Sequence, residues 1–289
     1  ARSIKDMKLI PVQHHQAHIT SVMAEHNIFA DVIGVAFDGT GYGSDGTVWG
    51  GEFFTGRPGT FERKSHLKYV PMPGGDAAVK EPYRMAFSYL YDAYGEEIDK
   101  LKIEFVKKYK AQFKTFKKMV KTNSNSPMTS SMGRLFDAVS ALIGLRETVS
   151  YEGQAAIELE SIALGKGYKS YDLELDDTLM LDPAPIIKGI VEDIKAMVPN
   201  EAISYKFHNT IAKATGKICK AISKETKIKK VCLSGGVFQN NLLLESILRE
   251  LKKMRLEAFI NEKVPTNDGG ISLGQVRFAK DVFSNSGQG

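Results

Sequence analysis

The spacing of apolar positions changes period along this chain, and each change marks an element. From His14 to residue 27 the spacing is helical and puts His14 and His18 on one face, a turn apart. Residues 31–39 form a short apolar run ending in Asp-Gly, the pattern of a buried strand, and residues 41–45 turn the chain. Residues 46–55 and 59–70 predict a second and a third strand, which makes a β-meander with its first turn facing a ligand. From Glu81 the period is helical again. Residues 81–94 predict one helix, with Pro82 suited to its first turn, and a lysine-rich helix follows up to Lys121. A Ser/Asn loop covers 122–131. Helices are expected over 132–143, stopped by Gly144, and over 152–164. Residues 168–181 read as a strand pair or extended arm around an Asp176-Asp177 turn. Helices over 183–197 and 203–224, a buried strand over 229–233, a helix over 241–254, a last strand over 256–260 and a closing helix over 270–280 complete the pattern, with a polar, frayed tail from 284. No internal repeat interrupts it.

Composition narrows the class without naming it. The 289 residues are 43% hydrophobic and 25% charged, an ordinary globular balance for one large domain or two lobes. No apolar run reaches the roughly 20 residues of a membrane span, and the first residues lack a signal-peptide core. The absent initial Met reads as processing or as a cut from something longer. The two cysteines, Cys219 and Cys232, form no CxxC, which argues against a disulfide framework or a cysteine zinc site and for a reducing cytoplasm. The net charge of +5 is modest, and no nucleic-acid or membrane partner is expected. Much of the lysine lies between Lys100 and Lys121, interleaved with Phe105, Tyr109, Phe113, Phe116 and Val120 at threes and fours, so it is read as the solvated face of an amphipathic helix.

Candidate chemistry sits at the turns. Two imidazoles four apart, His14 and His18, with carboxylates at Asp38 and Asp268 in two Asp-Gly turns, make a mixed nitrogen–oxygen metal site if the fold brings them together. His15 points elsewhere on the same helix, to donate to a nucleotide or to be solvated. The strand–turn–helix at 231–242 carries Gly235, Gly236, Asn240 and Asn241. Glycines there admit a phosphate to helix N–H groups, and the asparagines cap the helix or bond a ribose or base. The competing reading is an ordinary βα turn; the second glycine-rich turn at Asp38–Gly43 favours the ligand. Asp137 could face a ribose from its helix, and Gly153 could allow close approach. Trp49 and Tyr42 are stacking candidates, with Trp49 equally suited to a core.

In order along the chain, the segments Val12–His18, Phe37–Glu52, Glu81–Arg84, Gly133–Asp137, Tyr151–Ala156, Leu233–Asn240 and Asn267–Gly270 closely resemble the C-terminal catalytic domain of the HypF-type carbamoyltransferases of nickel–iron hydrogenase maturation. The resemblance spans nearly the whole chain. It implies an α/β fold of the actin, sugar-kinase and heat-shock ATPase type, here mostly the second of two lobes. Residues 1–30 would be a remnant of the first lobe carrying HxxxH, and 31–289 the second lobe with a helical insertion at about 81–165. It implies a divalent metal, iron or zinc before magnesium, on His14, His18, Asp38 and Asp268. Nucleotide contacts would fall on Gly39, Thr40, Gly41, Gly133, Asp137, Gly153, Gly235, Gly236 and Asn240, and His15 is a conceivable catalytic base.

The implied reaction moves a carbamoyl group from carbamoyl adenylate, made from carbamoyl phosphate and ATP elsewhere in the full protein, to the C-terminal cysteine of the partner HypE. The implied partners are HypE and the remaining modules of the full-length protein, whose acylphosphatase, zinc-finger and adenylate-forming parts are absent here. A missing first lobe further implies an exposed apolar face. The alternatives are an O-carbamoyltransferase acting on a small hydroxyl acceptor, a non-catalytic fragment that docks a maturation partner, and a sugar-kinase-like phosphotransferase. The HxxxH pair speaks against the last, since such kinases hold Mg²⁺ mainly with carboxylates and water. Neither cysteine falls in a family motif, and Cys232 is read as a buried hydrophobe.

Overall fold

In a computed structural model, which describes residues 9–164, 169–173, 175 and 177–286, the chain builds one mixed sheet with helices on both faces. It opens with α1 (His14–Glu25). The Gln13 side-chain oxygen accepts from the His15 and Gln16 amides and so satisfies two of the N–H groups that a helix start leaves unpaired. The meander follows as β1 (Val32–Tyr42), β2 (Val48–Gly56) and β3 (Glu62–His66). Next come β4 (Val70–Pro71), α2 (Ala77–Lys80), α3 (Pro82–Tyr94), α4 (Glu104–Lys121), β5 (Met128–Thr129), α5 (Met132–Leu142) and α6 (Gln154–Ser161). The last part runs α7 (Ala184–Lys195), α8 (Asn200–Thr226), β6 (Lys230–Ser234), α9 (Asn241–Lys253), β7 (Glu257–Ile260) and α10 (Ile271–Ser286). Strand order is β4-β5-β2-β1-β6-β7, with β3 also on β2. β1 is antiparallel to β2 and parallel to β6, and β6 is parallel to β7.

The unbroken apolar run of β1 is explained by burial on both faces. Ile33, Val35 and Phe37 enter the larger core, shared with α3, α5, α7, α8 and α9. Val32 and Ala36 point the other way, into a smaller core with Ile19, Val22 and Met23 of α1, Trp49 and Phe54 of β2, and Cys232. Gly34 leaves the space that Ile19 fills. In α8, Ile203, Phe207, Ile211, Ala214, Ile218 and Ile222 are buried at helical intervals.

Several expected elements change shape. β1 continues to Tyr42 instead of ending at Gly39, because its pairing with β2 shifts register: Phe37 faces Gly51 and Gly41 faces Trp49. Asp38, Gly39 and Thr40 thus oppose Gly50 alone and bulge out of the ladder, as extra residues on one strand must. The expected 59–70 strand divides into β3 and β4, with Leu67 between them bridging Leu181. That bridge is the pairing found in the described part of the expected 168–181 arm; Tyr168 and Asp176 lie outside the described residues. α6 starts at Gln154 because Gly153 takes a left-handed φ of 77°. A 3₁₀ turn at Gly95–Lys100 precedes α4, whose Phe105, Tyr109, Phe113 and Phe116 are buried as the amphipathic reading required. Among the described residues no helix is long and apolar enough to cross a membrane.

Candidate metal and nucleotide site

Three separate elements bring four ligand atoms together. α1 sets the Nε2 atoms of His14 and His18 3.2 Å apart. The β1 bulge brings Asp38 Oδ2 to 2.9 Å from His14 Nε2 and 3.5 Å from His18 Nε2. A short 3₁₀ turn, Asp268–Gly270, capped by the Asn267 side chain, brings Asp268 Oδ1 to 3.5 and 3.4 Å from the same two nitrogens. All four ligand atoms lie within 4.8 Å of one another. Bonds of about 2.0–2.2 Å in a tetrahedral zinc-type site separate donors by about 3.3–3.6 Å. Three of the five spacings, 3.4–3.5 Å, fall in that range, and the His14–Asp38 and His14–His18 pairs, at 2.9 and 3.2 Å, need only open by a few tenths of an ångström, so two imidazoles and two carboxylates could hold a divalent ion here. Two ring nitrogens facing each other beside two carboxylates also call for a proton or cation between them. Burial opposes charge on His14, but the Asp38 hydrogen bond and the charges of Asp38 and Asp268 raise its pKa. Burial likewise opposes ionisation of Asp38, yet the bonds from His14, His18 and the Gly39 amide hold its carboxyl well below the usual range.

Asp38 joins this cluster to two glycine turns. Its other oxygen, Oδ1, accepts from the amides of Gly39 (2.9 Å) and Gly236 (3.2 Å). Gly235, at φ 110°, lies against the Phe37 carbonyl, where a side chain would not fit. Gly133 lets the start of α5 approach the bulge; a Cβ there would lie 2.8 Å from Gly39 Cα. The Ser131 side chain accepts from the Arg134 amide at the start of α5, and its hydroxyl lies 2.9 and 2.7 Å from the Asp38 and Gly39 carbonyl oxygens. Behind the bulge, buried Glu52 accepts from the Gly50 and Gly51 amides, the Ser130 hydroxyl and Arg63. Arg63 in turn stacks 3.9 Å over Trp49. Trp49 is thus core, and Tyr42 is exposed.

A cleft of about 700 Å³ opens from this centre, a size suited to a nucleotide. Of the expected residues, Asp38, Gly39, Thr40, Gly133, Asp137, Gly153, Gly236, Asn240 and Asp268 line it. His14, His15, His18, Gly41 and Gly235 do not; His14 and His18 meet the cleft only through Asp38 and Asp268. His15 is fully buried, its Nδ1 accepts from the Gln13 side-chain Nε2, and burial, with the His14 charge next, pushes its pKa down to about 3. Gly41 makes room for the rings of His14 and His15, not for a ligand. Buried and away from the cleft lining, His15 is not supported as a base by this placement. Asn240 reaches the cleft, but its side chain is engaged: Oδ1 caps α9 at the Leu243 amide and Nδ2 donates to buried His208.

Asp137 is raised by burial, against the charge of Arg134, whose Nη2 is 3.0 Å away. Arg134, Glu152 and Glu160 line the cleft and were not singled out from sequence. The three-residue step from Arg134 to Asp137 was the available signal, since it puts both on one helical face. Cys219 and Cys232 are free and buried, and burial pushes the Cys232 thiol up to about 12.

Comparison with known proteins settles the family. Residues 34–275 match the model of the carbamoyltransferase Kae1-like domain, second subdomain, of HypF. The chain belongs to the HypF carbamoyltransferase family. It is 38% identical to the carbamoyltransferase HypF of Synechocystis over 92% of this chain and 36% of that protein. It is 35% identical to the probable carbamoyltransferase HypF of Methanocaldococcus jannaschii, over 93% of this chain and 35% of that one. A solved full-length HypF, in a phosphate- and nucleotide-bound form, superposes with a TM-score of 0.90 at 45% identity, covering 96% of this chain and 36% of that structure. The chain thus spans about a third of the length of these HypF relatives. The α/β fold of the actin, sugar-kinase and heat-shock ATPase type, expected from the resemblance, is the fold found.

Proposed function

We propose that this chain carries the carbamoyl-transfer site of a HypF-type protein, taking carbamoyl adenylate as donor and the C-terminal cysteine of a HypE-type maturation protein as acceptor. The product would serve the cyanide ligands of a nickel–iron hydrogenase made in the cytoplasm. The observation that carries this reading is the double use of Asp38: one oxygen belongs to the four-ligand cluster, and the other binds the backbone of both glycine turns.

Held by His14, His18, Asp38 and Asp268, a divalent metal, iron or zinc before magnesium, would polarise a carbamoyl or phosphate oxygen and fix its orientation. The chain's own groups do the rest. The Gly39–Thr40 and Gly236 turns let the adenylate phosphate approach the backbone, Gly133 holds α5 against that turn, and Gly153 leaves room for the nucleoside at the start of α6. Asp137 would accept from a ribose hydroxyl while Arg134 keeps its carboxylate oriented. The acceptor thiol loses its proton to solvent, its sulfur bonds to the carbamoyl carbon, and the bond from that carbon to the phosphate oxygen breaks. AMP leaves and a thiocarbamate remains.

The test is to incubate the zinc- or iron-loaded chain with carbamoyl adenylate and a peptide ending in cysteine, and to weigh the peptide by mass spectrometry. One carbamoyl group gained on sulfur, and lost with His18→Ala, is the expected result. Transfer to a hydroxyl acceptor but not to the thiol would favour the O-carbamoyltransferase alternative. No transfer by the chain, with a full-length HypF active in parallel, would mean that the remaining parts of the family's protein are required.

A further inference from the structure

His14, His18, Ser21 and Glu25 follow at intervals of four, three and four, so one face of α1 carries all of them. The first two belong to the four-ligand cluster. The last two hold a different part of the chain. Asp268, whose side chain is 72% exposed, is the most open of the four candidate ligands, and it follows the 261–267 loop leaving β7. Glu25 Oε2 accepts from the amides of Glu262 (2.9 Å) and Lys263 (2.7 Å), and Oε1 accepts from the amide of Val264 (3.3 Å) and from Asn261 Nδ2 (2.9 Å). Asn261 Nδ2 also lies 3.0 Å from Ser21 Oγ, and Asn261 Oδ1 accepts from Ser234 at the end of β6. At the far end of the loop, the Thr266 carbonyl accepts from the Gly235 amide. One carboxylate on three consecutive backbone N–H groups is a strong, charge-assisted anchor.

We propose that Glu25 is a positioning residue for the metal centre. By anchoring residues 262–264 to the helix that carries both histidines, it presets Asp268 at their Nε2 atoms. Glu25 itself lies about 10 Å along the helix from His18 and touches none of the ligand atoms. The inference rests on the metal reading above.

The experiment is a double-mutant cycle on zinc affinity, measured by competition with a chromogenic chelator. Loss of a residue bonded directly to a metal ligand weakens affinity about 10- to 100-fold; Glu25 acts through the loop that carries the ligand, and Glu25→Gln is expected to weaken zinc binding toward the lower end, about 10-fold. In an Asp268→Asn background the same substitution is expected to change nothing further, because its effect passes through Asp268. Equal losses in both backgrounds would mean that Glu25 supports the fold generally, and would overturn the proposal. No loss with Glu25→Gln would overturn it too, while leaving the metal reading intact. If Asp268→Asn alone left zinc affinity unchanged, the metal reading at Asp268 would fail, and the proposal with it. Hydrogen exchange of the metal-free chain gives a second readout. Glu25→Gln should expose the amides of 262–264 while those of residues 18–22 stay protected; exposure of both segments together would be unfolding of α1 and would contradict the proposal.

Discussion

Single side chains in this site serve two neighbours at once, and that makes their substitutions informative. Asp38→Asn keeps an oxygen for the Gly39 and Gly236 amides but turns an NH₂ group toward the histidines. Metal content of the purified variant, read by elemental analysis, should fall to near zero while the urea midpoint moves little; retained metal would remove Asp38 from the ligand set. His208 makes a prediction about pH. Burial lowers its pKa to about 4, and it stays neutral to accept from Asn240 while donating to the Ser204 carbonyl. The folded value lies below the unfolded one near 6.5, so between these pH values the unfolded chain binds the extra proton. The stabilisation is complete above pH 6.5 and is lost as pH falls toward 4, by about 3 kcal/mol at most. Urea unfolding from pH 7 to 4.5 should therefore show the gap between wild type and His208→Gln narrowing as pH falls; a constant gap would contradict the assignment. At this scale the four residues that meet, His14, His18, Asp38 and Asp268, were legible as candidate ligands because their residue types and motifs announce chemistry. The role of His15 was not. Spacing alone cannot tell where each of three neighbouring imidazoles points; His15 and His18 are both buried, but His18 meets Asp38 and Asp268 while His15 is held by the Gln13 side-chain amide.

Elements position the four candidate ligands, chiefly through close helix approach. Gly274 of α10 lies so near the Ala17 carbonyl of α1 that a Cβ would overlap it. Gly274→Ala must push the two helices apart, and overpacking of this kind costs about 1–3 kcal/mol. The midpoint of thermal unfolding should drop, and because α1 carries both histidines, zinc affinity should drop with it. An unchanged midpoint would mean that the two helices yield to the added methyl without cost, and would contradict the tight contact. Periodicity revealed the long elements well: the α1, α4 and α8 regions, and the runs at β1 and β6, stand near where apolar spacing put them. It did not reveal the β1 bulge, which depends on the register against β2, nor the break between β3 and β4, where Leu67 turns aside to meet Leu181. Both are pairings over distance, and a local hydrophobic pattern carries no information about partner register.

Across the whole molecule, α1, the β1 bulge, the β6–α9 turn and the loop before α10 meet at one point, although they span the chain from residue 14 to 268. The sheet brings β1 and β6 side by side, and α1 and α10 close over one of its faces. Motifs that are far apart in sequence become one site only through this topology, which the family resemblance implied and residue spacing could not. On the function proposed above, metal and nucleotide share one centre through Asp38. The most direct measurement is a calorimetric titration of AMP into the chain with and without bound zinc. Nucleotide binding should tighten when zinc is present, zinc binding should tighten by the same factor when AMP is present, and both effects should be lost in Asp38→Asn. AMP binding that is indifferent to zinc, or a coupling that survives Asp38→Asn, would contradict it.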